Sequence, residues 1–182
     1  KYARKIHGWI SCPIPNDLFL REHPDLILTS SPHYLDRFKI QGVKSALVEA
    51  FFDPTILTRL SAENSQYQPR YDTMDFTFIG GITIAHGKRI AALKRLAAKT
   101  PIEFFGYGYE SVFRIRIPLI NRLIRSAVLK RYRGEIWGVD MYRALAASRI
   151  TFNAHIDMAE GYGVNMRMYE ATGAGALLLT DG

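Results

Sequence analysis

"FTFIGGITIAHGKRIAALKRLAAKTPIEFFG" occupies residues 76–106. Phe76–Gly81 is a short apolar run that ends in two glycines, Gly87 to Lys99 reads as a helix, and Ile102–Gly106 is a second apolar run after Pro101. A strand, a helix and a strand with no hairpin signal between them belong to a parallel sheet covered by helices. The downstream chain repeats the alternation. "GEIWG" (134–138) reads as a short strand, "VDMYRALAAS" (139–148) as a helix, "RITFNAH" (149–155) as a strand, Val164 to about Thr172 as a helix, and "ALLLT" (176–180) as a strand.

Upstream, "DLILTSS" (25–31) reads as a buried strand, "PHYLDRFKIQG" (32–42) as a short helix stopped by Gly42, "SALVEAFFDP" (45–54) as a strand and "PTILTRL" (54–60) as one or two helical turns. Residues 61–75, which contain the polar and unpatterned "SAENSQYQPRYDT", read as a linker. The expected architecture is α/β: a Rossmann-like parallel sheet with helices on both faces over 76–182, and part of a partner domain over 1–60. Crossovers should be right-handed. Loops Gly80–Lys88, Gly106–Glu110 and Asn153–Gly163 then follow the carboxyl ends of strands, the edge on which open α/β sheets bind ligands.

Apolar residues make up 48% of the 182, enough to bury a core, and no apolar run is long enough to span a bilayer. The single cysteine, Cys12, excludes an internal disulfide framework and suits a reducing cytosol. The chain begins at Lys1 and stops at Gly182, directly after an apolar run, which reads as a piece of a longer protein. Its net charge of +7 is concentrated: Ser111 to Gly134 holds seven basic residues (Arg114, Arg116, Arg122, Arg125, Lys130, Arg131, Arg133) and no acid. Such a block favours an anionic partner, a phosphate or an anionic lipid surface, although a solvated helix face has the same composition. Phe113 and Tyr132 are too few to form a stacking platform, so nucleic acid is disfavoured.

Neither a P-loop nor a G-x-G-x-x-G fingerprint is present, nor C-x-x-C or H-E-x-x-H, and His86, His155 and Asp157 are too loose a set to argue a metal. In "EGYGVNMRMYEATGAGALLLTDG" (160–182), Gly161 and Gly163 precede a helix start, an arrangement that suits a phosphate.

Together "FTFIGGITIAHGKRIAALKRLA", "IEFFGYG", "GEIWGVDMYRALAASRITFNAHID" and "GVNMRMYEATGAGALLLTDG" resemble the nucleotide-sugar-binding half of a group 1 glycosyltransferase with the GT-B fold, in its CgeB-like variant. The resemblance covers roughly 76–182, and residues 1–60 resemble the last strands of the acceptor-side domain. It implies an enzyme that moves a sugar from a nucleotide diphosphate donor to a glycan or lipid-linked hydroxyl acceptor in bacterial envelope synthesis, and the single cysteine and the basic block add the expectation of a cytoplasmic protein, peripheral at the membrane's inner face. It requires no metal and no cofactor. By the same resemblance Glu170 accepts the ribose hydroxyls, and the amides of Gly163, Val164 and Asn165 hold the diphosphate. Arg167 adds charge to a phosphate. Gly80 and Gly81 let a loop approach the donor, and His86, Lys88 or Arg89 supplies positive charge to the leaving group. Ile136 and Trp137 grip the base, while Asn153 and His155 line the sugar. Glu160 and Glu170 are separated by nine residues, where many family members separate two glutamates by seven, so Glu160 has no assigned role and the catalytic base is unassigned. Trp137 as core packing, His86 as a helix-start residue and Glu170 as a surface helix position are the structural alternatives. A non-catalytic nucleotide- or sugar-phosphate-binding module is the functional one.

Overall fold

A computed structural model describes residues 5–10, 18–64, 72–83, 86–108, 130–155 and 165–181. The chain forms two compact units, one built on residues up to Phe51 and the other on Phe52–Asp157 and Arg167–Gly182. In the first unit, strands β1 (His7–Ile10), β2 (Leu26–Thr29) and β3 (Ser45–Leu47) make a parallel sheet in that order, with helix α1 (Pro32–Ile40) between β2 and β3. Pro32 begins α1, where its fixed φ fits and its missing N–H costs nothing. Tyr34 and Phe38, one helical turn apart, pack on Ile10 and Ile27 as the core of this unit. Trp9 on β1 is 54% exposed. Strand β1 was not expected from the sequence, because four residues that include a histidine and a glycine carry no strand pattern.

The second unit contains α2 (Thr55–Asn64), β4 (Met74–Ile79), α3 (Gly87–Lys99), β5 (Glu103–Phe105), α4 (Gly138–Ala147), β6 (Ser148–Asn153), α5 (Met166–Gly173) and β7 (Leu177–Thr180). Its four strands are all parallel, in the order β5-β4-β6-β7. Successive strand residues face opposite sides of a sheet, so a strand covered on both faces is apolar along most of its length. Phe76, Phe78, Phe104 and Phe152 meet Leu93 and Ala97 of α3 on one face. Ile79 and Phe105 meet Met141, Ala144 and Leu145 of α4 and Ala171 of α5 on the other. Beneath α4 the buried hydroxyls form a chain: Thr77 Oγ1 donates to Ser148 Oγ (2.9 Å) and lies 3.1 Å from Thr151 Oγ1, while Ser148 donates to the Ala144 carbonyl (2.6 Å). This chain ties the end of α4 to the two central strands without leaving a polar group unsatisfied.

Four segments differ from their sequence readings, and of the strand expected over 45–54 only Ser45–Leu47 forms. Helix α2 runs on to Asn64 and β4 begins at Met74, so both ends of the expected linker are regular structure. Helix α2, placed by the sequence with the first segment, packs against α4 of the second unit. "GEIWG" is not a strand. The pairing lies just upstream, where Tyr132 bridges Phe104, the Arg133 amide donates to the Phe104 carbonyl (2.8 Å) and the Gly106 amide to the Gly134 carbonyl (3.1 Å). Of the basic block, only Lys130 to Gly134 lies within the described residues. There Arg131 donates to the Thr100 carbonyl and Arg133 pairs with Glu103 (2.5 Å). Among the described residues no helix is long and apolar enough to cross a membrane.

Gly106 is the tightest point of this sheet. Its φ is +147°, and a Cβ there would sit 1.8 Å from the Gly80 carbonyl oxygen. Gly175, at φ +96° after α5, has open space where its Cβ would be. Replacement of either residue by alanine incurs the left-handed backbone cost of about 1–2 kcal/mol, but Gly106→Ala must also push two backbones apart, about 1–3 kcal/mol more. Urea unfolding of the two variants is expected to rank Gly106→Ala as the less stable by at least that difference.

Candidate functional site at the carboxyl edge of the second sheet

From β4 the chain crosses through α3 to β5 on one side, whereas β6 lies on the other side of β4. The loops after β4 and β6 therefore diverge, and the order reverses between these two strands, the topological switch point at which doubly wound sheets take their ligands. Gly80 and Gly81 follow β4, and Ala154 and His155 follow β6. Both glycines have packing reasons of their own. A Cβ on Gly81 would meet the Tyr107 ring at 2.7 Å, and one on Gly80 would meet the Phe78 ring at 3.1 Å. They allow the β4 loop to lie against the β5 loop, where the Ile82 amide donates to the Tyr107 carbonyl (2.8 Å).

Arg89 joins the two diverging loops. Residues 89, 93 and 97 recur every fourth position on α3 and are all buried against the sheet. The Arg89 guanidinium, 7% exposed, donates through Nη1 to the Gly81 carbonyl (3.0 Å) and through Nε and Nη2 to the Ala154 carbonyl (3.1 and 2.5 Å). It also lies 5.9 Å from the centre of the Phe78 ring. The sequence reading aimed this cation at a ligand. The helix periodicity instead turns it inward, where it clamps backbone. Lys88, one residue earlier, is exposed. His86 sits at the N-cap of α3; its Nδ1 accepts the Thr83 amide (3.2 Å) and lies 2.7 Å from the Thr83 hydroxyl, so in the neutral ring the proton is on Nε2.

His155 is tied to the end of β7. Its Nδ1 is 2.7 Å from Asp181 Oδ1, and its backbone amide donates to both Asp181 oxygens (3.2 and 3.1 Å). Burial pushes the Asp181 carboxyl up, but the hydrogen bonds from the His155 ring and amide outweigh this and hold it below its ordinary value of 3.8. Asn153, the last residue of β6, is buried beside this pair.

Trp137 caps the start of α4 and is 63% exposed, so it is not core packing. Its indole stacks on Tyr107, with ring centres 5.6 Å apart at 16°, and its Nε1 donates to Glu135 (3.4 Å). Ile136, the residue before it, turns inward onto the α4 side of the core.

On α5, Glu170 and Arg167 are one turn apart and form an ion pair (Arg167 Nη1 to Glu170 Oε2, 2.7 Å) with side chains 14% and 19% exposed. The other carboxylate oxygen, Oε1, accepts the Tyr142 hydroxyl from α4 at 3.0 Å. Glu170 is therefore no surface helix position, and Arg167 faces Glu170 and the Met141 sulfur (2.7 Å). Burial pushes the Arg167 guanidinium below its usual value, and the Glu170 carboxylate pulls it back up. Burial first, and then the charge of Glu170, push the Tyr142 phenol up to about 12. Gly161, Gly163 and Val164 lie outside the described residues; Asn165, half-buried, immediately precedes α5. Tyr107, Tyr142 and Asp181 were not among the residues singled out from the sequence. Each is joined to its partner by contacts far apart in the chain, a signal absent from local pattern.

Two parallel, helix-covered sheets with this switch point form the fold of the GT-B glycosyltransferases. The structure superposes on that of Anabaena HepE in complex with UDP and glucose with a TM-score of 0.51, 11% sequence identity and coverage of 86% of this chain and 44% of that one. The chain thus spans less than half the length of this relative, and at that identity the likeness is one of fold. A mitochondrial ornithine carbamoyltransferase from Coccidioides immitis matches with a TM-score of 0.30 and 13% identity over 90% of this chain and 56% of that one. No curated protein sequence matches. Residues 88–182, a little over half of the chain, match the family described as glycosyl transferase-like, and the chain belongs to that family.

Arg89→Met is expected to destabilise the second unit by about 1–3 kcal/mol for each backbone carbonyl that loses its donor. Arg89→Lys, which has no fork to reach both carbonyls, should recover only part of this, and chemical denaturation measures the difference. Since the Asp181 carboxyl is lower in the folded protein than in the unfolded chain, its contribution is complete above the ordinary value and is lost as pH falls through the folded one. Thermal melts from neutral pH down through the carboxylate range should therefore fall less steeply in Asp181→Asn than in the wild type.

Proposed function

We propose that this protein transfers a sugar from a nucleotide diphosphate sugar to a hydroxyl acceptor, with residues 76–182 as the donor-binding domain, helix α2 packed with it, and residues up to Phe51 as part of an acceptor-side domain. The observation that carries the reading is the convergence of Gly80, Gly81, Asn153 and His155 on the two strand ends that flank the switch point. Membership of the glycosyl transferase-like family supports it. The HepE structure holds UDP and glucose, which makes UDP the first probe.

In this reading Glu170 accepts the ribose hydroxyls. The diphosphate lies at the start of α5, near Gly163, Val164 and Asn165, and Trp137 and Ile136 border the base. His155 and Asn153 line the sugar, Lys88 adds positive field, and the His86 ring offers its Nε2–H as a donor. The acceptor oxygen bonds to the anomeric carbon as that carbon's bond to the diphosphate breaks, and the electron pair leaves on the phosphate. Fixed amides and cations aimed at that developing charge lower the barrier, and the chemistry asks for no metal. The basic segment Ser111–Gly134 would hold the enzyme against anionic lipid at the cytoplasmic face, beside a lipid-linked acceptor used in envelope glycan assembly. Each basic residue near such a surface contributes about 1 kcal/mol.

Calorimetric titration with UDP tests the donor site. Glu170→Ala and Glu170→Gln remove charge-assisted hydrogen bonds and should weaken binding roughly tenfold to a hundredfold. Circular dichroism must show the fold retained. Unchanged affinity in folded Glu170→Gln would overturn the assignment, and turnover of a nucleotide sugar by the full-length protein separates a transferase from a binding module.

A further inference from the structure

A glutamate on a helix has several rotatable bonds and, left to itself, samples many positions. Glu170 is held at both oxygens instead. Arg167, one turn earlier on α5, forms an ion pair with Oε2 (2.7 Å), and Tyr142, from α4, donates to Oε1. An ionised carboxylate offers about four lone-pair sites, two on each oxygen. Among the described residues the Tyr142 phenol takes one site on Oε1 and the Arg167 guanidinium faces Oε2, which leaves acceptor capacity on each oxygen, with the carboxylate held by groups on two helices. Two vicinal hydroxyls require that same pair of acceptors.

Tyr142 is itself held. The Phe52 ring meets it edge-on at 68°, with centres 6.2 Å apart. Phe52 in turn lies over Gly173 at the end of α5, where a Cβ would stand 2.2 Å from the ring, so only glycine leaves room for it. Next to Phe52, Asp53 accepts the Thr55 amide (2.9 Å) and hydroxyl (2.8 Å) and so anchors the start of α2. The burial that raises the phenol keeps its proton in place throughout the physiological range, and the hydroxyl is therefore always a donor toward Glu170.

We infer that Tyr142, braced by Phe52, is a positioning residue that pre-sets the Glu170 carboxylate for the two ribose hydroxyls of the donor nucleotide. The inference rests on the reading of Glu170 given above and adds to it residues outside α5. Tyr142 needs no contact with the ligand. Its effect is confined to the hydroxyls that Glu170 receives, and it should be invisible to a nucleotide that lacks them.

The test compares UDP with its 2′,3′-dideoxy analogue by calorimetry on the wild type, Tyr142→Phe and Phe52→Leu. The wild type should prefer UDP by about tenfold or more, the worth of charge-assisted hydrogen bonds to a carboxylate. Tyr142→Phe keeps the ring against Phe52 and removes only the hydroxyl. It should lose most of that preference with the affinity for the dideoxy analogue unchanged. Phe52→Leu, which leaves the hydroxyl in place but loosens its support, should lose a smaller part. An undiminished preference in folded Tyr142→Phe overturns the inference and leaves the Glu170 assignment standing. Equal weakening of both ligands also overturns it, since that is the signature of a purely structural role. A wild type that binds UDP without preference overturns the Glu170 assignment and this inference together, and one that binds neither ligand overturns the donor-site reading as a whole.

Discussion

The second unit depends on a single peptide group, the one between Ala154 and His155. Its carbonyl accepts two N–H bonds from the Arg89 guanidinium, and its N–H donates to the Asp181 carboxylate. A cation and an anion are thus joined through one amide, each next to the end of the amide dipole that favours it. Arg89 reaches from there to the Gly81 carbonyl. The ends of β4, β6 and β7 are consequently tied to one another and to α3, and the crevice that the strand order opens has a floor that cannot drift. A buried guanidinium is tolerable only if its donors are satisfied. The diverging strands leave carbonyls at that point, and Arg89 meets them.

Local pattern carries those parts of the fold in which burial sets composition. The phenylalanine-rich runs at 76–81 and 102–106 become β4 and β5 because a strand covered on both faces is apolar at most of its positions. Helix α3 occupies the predicted residues Gly87–Lys99. Where tertiary contact decides, local pattern fails. The polar helix α2 is longer than its own apolar residues suggest because it packs on α4. "GEIWG" has strand composition, yet Trp137 is drawn out to stack on Tyr107 and the pairing with β5 passes to Tyr132. At the site, the residue types of Arg89 and Glu170 were legible as a cation and a carboxylate near a ligand edge. Their partners were not, since Ala154 and Tyr142 are remote in sequence from the groups they bind.

Glycines and aromatic rings recur as complementary pairs in this unit. Gly81 makes room for Tyr107 and Gly173 for Phe52, and each ring then supports a further residue at the site: Tyr107 stacks with Trp137, and Phe52 braces Tyr142. In the sequence Gly81 reads as room for a loop to approach a ligand, and Gly173 carries no reading. In the fold each is a socket for a ring, and an added methyl group at either would be felt at the functional edge through the displaced aromatic side chain.

The chain has two tryptophans, and the fold assigns one to each compact unit: Trp9 on β1 and Trp137 at the start of α4. Both indoles are more than half exposed, and Trp137 is stacked on the Tyr107 ring at the carboxyl edge of its sheet. The protein therefore carries its own pair of optical reporters. Emission from Trp9 follows the first unit, and emission from Trp137 follows the second together with whatever settles against its open face. Removing one indole at a time would resolve the two signals without any attached dye.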